Sequence, residues 1–131
     1  MKKIYIAGKV TGLPVHEVSM KFGTAQQELQ EKGFKAINPL EVVNNWKATW
    51  EEAMKKCIRA LTECDAVYLL PCYTDSPGAK LEIDIAHKLG IPVCSNIDGF
   101  LQFRINENVE VSIGDPEKLI GTIKKRKGSN Q

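Results

Sequence analysis

The chain has 131 residues, 43% hydrophobic and 26% charged, with a formal net charge of +2 at pH 7. That length fits one domain able to bury a core, and the near-neutral balance gives no electrostatic case for a nucleic-acid partner. No stretch approaches the roughly 20 apolar residues of a membrane span, and Met1-Lys2-Lys3 leads into a run too short for a signal peptide's apolar region, so a cytoplasmic protein with reduced thiols is expected.

Lys3-Ile4-Tyr5-Ile6-Ala7 is a β-rich apolar run that ends at Gly8 and reads as the first strand. Gly8 to Pro14 is a glycine-punctuated loop. Residues 16–32 follow a helical pattern, with Phe22, Ala25 and Leu29 as one apolar stripe and Gly33 as the stop. Phe34-Lys35-Ala36-Ile37 is a short second strand closed by Asn38-Pro39, and a second helix is expected over 50–63, with Ala53, Met54, Cys57 and Leu61 on one face. The third strand is 66–70, the third helix 78–89 with Leu81 and Ile85 in its buried stripe, and the fourth strand 91–94. A fifth strand at 109–111 and a final helix over 116–126 complete the reading, with 95–108 unassigned. This alternation predicts an α/β fold, a flavodoxin-like three-layer sandwich with a parallel sheet of four to five strands. It occupies residues 1–123, followed by a basic flexible tail at 124–131. Lys124-Lys125-Arg126-Lys127 reads as a solvated helix end favoured by the helix dipole rather than as a nucleic-acid patch.

Cys57, Cys64, Cys72 and Cys94 show no CxxC spacing and only His16 and His87 accompany them, so no metal site is expected. Nor is any cofactor. Cys64 and Cys94 lie in apolar contexts and read as small core residues.

In an open α/β sheet, ligands bind outside the carboxyl ends of the strands. Three loops belong there: 8–14, 38–50 and 71–78. The first offers Gly8, Lys9, Thr11 and Gly12, suited to close backbone approach and to a phosphate or sugar hydroxyl. It is neither a Walker A loop nor GxGxxG, and a plain strand–helix turn explains it about as well. The segment Ser76-Pro77-Gly78-Ala79-Lys80-Leu81-Glu82 sets a carboxylate one turn inside a helix whose start carries anion-attracting amides. Two readings of Glu82 stand level on pattern alone. It is either an exposed residue paired with Lys80 or Lys88, or a carboxylate held near the sheet between Ala79 and Ala86, with the Tyr5 hydroxyl as hydrogen-bond donor. Asp65 is expected to cap the far end of the third strand, whereas Asp75 sits in the crevice loop. Trp46 and Trp50 precede the second helix; one can stack on a base, although packing the helix start is the commoner role of such a residue.

Ile4-Tyr5-Ile6-Ala7-Gly8, then Cys64-Asp65-Ala66-Val67, then Ser76-x-Gly78-x-x-x-Glu82 together resemble the nucleoside 2-deoxyribosyltransferase-like superfamily, in particular a small phage and bacterial branch with a YIAGxxTG start. The resemblance covers roughly residues 3–94. It implies cleavage or transfer at the N-glycosidic bond of a (deoxy)nucleoside 5′-monophosphate or related nucleotide. Glu82 would be nucleophile or glycosyl-cation stabiliser, Tyr5 its orienter, and Ser76, Gly78, Gly8 and Lys9 the holders of the nucleotide's 5′ end. It also implies a homodimer or higher homo-oligomer, with Asn108 resembling a position that completes a neighbouring subunit's site. The sequence departs from the pattern in the second helix, where the superfamily's aspartate is Cys57. A thiol is a poor acid for a purine nitrogen; Glu51, Glu52 or Asp75 could substitute, with Asp75, in the crevice loop, the better second acid, and a catalytically weak nucleotide-binding or sensing module is the alternative.

Overall fold

The computed structural model describes residues 2–100, 124–126 and 128–130. Four strands, β1 (Lys3–Ala7), β2 (Lys35–Ile37), β3 (Ala66–Leu69) and β4 (Val93–Cys94), form an all-parallel sheet in the order β2-β1-β3-β4. Helices α1 (Val15–Glu31), α2 (Pro39–Val43), α3 (Trp50–Thr62) and α4 (Pro77–Lys88) connect them, with a 3₁₀ turn at Pro71–Asp75. The architecture is the expected flavodoxin-like three-layer sandwich.

The period-2 alternation of β1 divides the core. Ile4 and Ile6 join Val18, Phe22, Ala25 and Leu29 of α1 in one cluster, while Tyr5 and Ala7 join Cys57 and Leu61 of α3 and Ala86 of α4 in the other. Both faces of the central strand are covered, which is why it reads as an unbroken apolar run. Phe100 closes the α1 side, edge-on to Phe34 and Tyr68.

The chain steps from β1 outward to β2 and then back across to β3, so strand order reverses between β1 and β3 and a crevice opens at their carboxyl ends. At the opposite end, Lys3 N donates to Asp65 Oδ2 and Asp65 N to Lys3 O, both at 2.8 Å. Asp65 therefore caps the strand away from the crevice, as expected.

Three features differ from the sequence reading. The segment after β2 holds α2, a single turn and a half begun by Asn38, whose Oδ1 accepts from Leu40 N at 2.9 Å. Helix α4 buries Ala79, Glu82 and Ala86, whereas Leu81 is 37% exposed; the buried face is centred on the carboxylate rather than beside it. Lys124–Arg126, expected to end a helix and begin the tail, forms β5, antiparallel to β6 (Gly128–Asn130). These basic residues offer no apolar stripe for a helix to bury. The fifth strand at 109–111 and the rest of the final helix lie outside the described residues. Among the described residues no helix is long and apolar enough to cross a membrane.

Candidate functional site

The floor of the crevice is built by two periodicities meeting. Tyr5 is an odd-numbered residue of β1, so its side chain passes under α3 and α4, where Ala79, Glu82 and Ala86 recur at helical spacing on the face turned inward. The Tyr5 hydroxyl donates to Glu82 Oε2 at 2.7 Å. Glu82 is only 5% exposed and lines the cleft, whereas Tyr5 lies wholly beneath it. The surface-pair reading of Glu82 is set aside, since Lys88 pairs instead with Asp84 at 2.8 Å.

Burial pushes the Glu82 carboxyl up to about 7, against the pull of the Tyr5 hydrogen bond. Tyr5 itself is held well above the usual phenol range, chiefly by burial and then by the charge of Glu82. Cys57, the third polar group on the floor, is pushed up to about 11 by burial, with a hydrogen bond to Tyr5 opposing the rise. At neutral pH the floor thus carries a carboxylate poised between its two states, a neutral phenol and a neutral thiol.

The rim comes from the loops after β1 and β3. Gly8 follows β1 where a Cβ would stand 3.0 Å from Leu70 Cδ1, so only glycine passes there without displacing that side chain. Lys9 Nζ pairs with Asp75 Oδ2 at 2.8 Å, and Lys21 Nζ donates to Lys9 O at 3.1 Å. This bridges the two loops. Thr11 and Gly12 also line the cleft. Ser76 caps α4: its Oγ accepts from Ala79 N at 3.2 Å and its carbonyl from Lys80 N at 3.0 Å. Pro77 has no N–H, which leaves the Gly78 amide of that turn for a ligand. Gly78 has a second duty that the sequence did not suggest. A Cβ there would stand 3.2 Å from Met54 Sδ and 3.6 Å from Trp50 Nε1, so its absence lets α3 and α4 close together.

Asp75 lies in the expected loop but serves the rim. It is 68% exposed, and the Lys9 ammonium holds its carboxyl below the usual range. An ionised, lysine-paired carboxylate is a poor proton donor at neutral pH. The Lys9 ion pair thus counts against Asp75 as the second acid.

The walls are apolar. Trp46 and Trp50 are 58% and 45% exposed and both face the cleft, joined by Leu13, Leu40, Val43 and Met54. The start of α3 is secured by a capping box, with Thr49 N donating to Glu52 Oε1 at 2.9 Å and Glu52 N to Thr49 Oγ1 at 3.1 Å. Helix α2 is only five residues, too short to show a period, and Asn38-Pro39 is its one helix-start signal in the sequence. Asn108 lies outside the described residues.

The whole cleft encloses about 890 Å³, within the ~300–1,000 Å³ of small-molecule sites. Among the described residues no group of three or more His, Cys, Asp or Glu side chains converges as a metal site. The arrangement can present one buried carboxylate to an electrophilic or cationic centre, with a helix amide at the rim close to the Lys9–Asp75 ion pair.

No curated protein matches the chain. The family model described as a domain of unknown function (DUF4406) matches residues 2–95, a span that includes both Tyr5 and Glu82. The chain therefore belongs to the DUF4406 family, with its candidate site inside the matched region.

Proposed function

We propose that the chain cleaves or transfers at the N-glycosidic bond of a (deoxy)nucleoside 5′-monophosphate or related nucleotide, with Glu82 as the carboxylate that meets C1′. The observation that carries this reading is the 2.7 Å hydrogen bond from Tyr5 to Glu82 on the cleft floor. One carboxylate oxygen is fixed by the phenol and the other is left to the ligand. Breaking the glycosidic bond builds positive charge at C1′, which a buried carboxylate stabilises or traps as a glycosyl ester. Water then opens the ester in a hydrolase and a second base opens it in a transferase. The 5′-phosphate fits the rim, near Lys9 and the Gly78 amide, and the base fits the tryptophan wall. Assembly of two or more subunits around the site belongs to the same proposal.

The test is incubation with a panel of deoxy- and ribonucleotides, with free base measured by chromatography. Base release that disappears in Glu82→Gln is the expected result; release that survives it removes Glu82 from the role. A second reading rests on Cys57, which puts a neutral thiol on the floor where a proton donor is wanted. On that reading the chain is a nucleotide-binding or sensing module, and ligand-induced thermal stabilisation without base release is its signature.

A further inference from the structure

Among the described residues, the polar groups of the cleft offer a carboxylate placed as a nucleophile and no separate acid beside it. Of the described residues that line or underlie the cleft, Tyr5 has no exposure and its hydroxyl already donates its hydrogen bond to Glu82. Cys57 is a buried thiol, and a thiol in apolar surroundings gives up its proton reluctantly. Asp75 is tied to Lys9 at the rim. His16 and His87 do not line the cleft. A neutral purine or pyrimidine leaves as an anion unless its ring is protonated, and such protonation by a placed acid is worth about 10²- to 10⁴-fold. The walls point the same way: two half-exposed tryptophans stand over a floor whose one ionisable acid is Glu82, an environment that attracts a flat cation.

Resting on the N-glycosidic reading above, we infer that the leaving group is a base that already carries positive charge in the bound substrate, a pyridinium or N-alkylated purinium nucleotide. The step then balances without an acid. A Glu82 oxygen forms a bond to C1′ as the C1′–N bond breaks, and that electron pair neutralises the ring nitrogen, so the base leaves neutral. Water next attacks C1′ of the ester, the carboxylate is regenerated, and one proton goes to solvent. The sum is cationic nucleotide plus water giving sugar phosphate, neutral base and a proton.

The experiment compares 7-methylguanosine 5′-monophosphate with guanosine 5′-monophosphate, which differ by one methyl group and one charge, and adds nicotinamide mononucleotide as a second cationic probe. Free base is measured for the full chain and for Glu82→Gln, corrected for spontaneous release. The expected result is kcat/KM for the cationic probes at least about 10²-fold above the neutral one, lost in Glu82→Gln. Comparable turnover of cationic and neutral probes overturns this inference and leaves the N-glycosidic reading standing. Cationic turnover that survives Glu82→Gln overturns the step as written. No release from any probe, across the wider nucleotide panel as well, removes the N-glycosidic reading and this inference with it.

Discussion

The hydroxyl of Tyr5 and the carboxylate of Glu82 meet at 2.7 Å although 77 residues separate them in the chain. One comes from the central strand and the other from the first turns of a helix packed above it. The carboxyl's position between desolvation, which raises its pKa, and the phenol's hydrogen bond, which lowers it, gives the site its pH response.

Tyr5→Phe removes that hydrogen bond and leaves the ring volume in place. Because the bond holds the carboxyl down, its loss drives the Glu82 pKa above about 7. In the parent, where an ionised Glu82 is required, kcat/KM rises with pH through about 7; among the described residues the titratable groups coupled to Glu82 are Tyr5 and Cys57, both neutral there. In the variant the limb moves to higher pH, kcat falls, and KM changes little since Tyr5 lies beneath the cleft. The buried carboxyl loses a partner, at a stability cost of about 1–3 kcal/mol. A pH–rate profile and a urea titration check both; an unmoved limb removes Tyr5 as orienter.

Glu82→Gln makes a stability prediction independent of substrate. The folded pKa of about 7 exceeds the model value of 4.5, so the folded state holds the proton more tightly. The contribution is therefore fully present below about pH 4.5 and is lost as pH rises through about 7. The difference corresponds to at most about 3 kcal/mol. The glutamine variant escapes that loss. Relative to the parent, it is expected to gain stability between pH 5 and pH 8, read as the change in urea midpoint. A constant difference across that range would mean that Glu82 is not desolvated in solution.

Much of this pairing was legible in the sequence because both partners sit on strongly periodic elements. Tyr5 lies mid-strand in an apolar run, and Ala79, Glu82 and Ala86 recur at helical spacing. The buried face of α4 departs from the apolar pattern of Leu81 and Ile85 because its centre is a carboxylate. Burial there is decided by the Tyr5 hydroxyl from another element, which periodicity within the helix does not report. The apolar walls are legible only in part: the sequence offers Trp46 and Trp50 for stacking, whereas α2 is too short to show a period. The Lys9–Asp75 bridge joins two loops 66 residues apart, a proximity set by the strand order alone.

Asp75→Asn tests whether the bridge or an acid is at stake. The lysine-paired carboxylate stays ionised below its usual range, so its removal leaves kcat within a few-fold. It also removes a negative charge beside Lys9, and KM for a 5′-monophosphate falls while KM for the matching nucleoside does not. Steady-state kinetics on that pair of substrates decides the matter. A collapse of kcat with unchanged KM would restore Asp75 as the proton donor.

Cys57→Asp asks whether the missing acid can be supplied. The thiol is 6% exposed on the floor beside Tyr5 and Glu82, so an aspartate there brings two carboxyls into one desolvated site. They cannot both ionise at neutral pH, and one retains a proton. Burial of the added group costs about 1–3 kcal/mol, visible as a lower melting temperature that recovers as the pH is reduced. The protonated member of the pair is then a general acid facing the leaving base. Release of guanine from guanosine 5′-monophosphate is expected to rise by about 10²-fold, the lower end of what such an acid is worth, while release from the 7-methylated nucleotide gains little because its base needs no proton. A folded variant with unchanged selectivity between the two would mean that leaving-group protonation is not what limits this site.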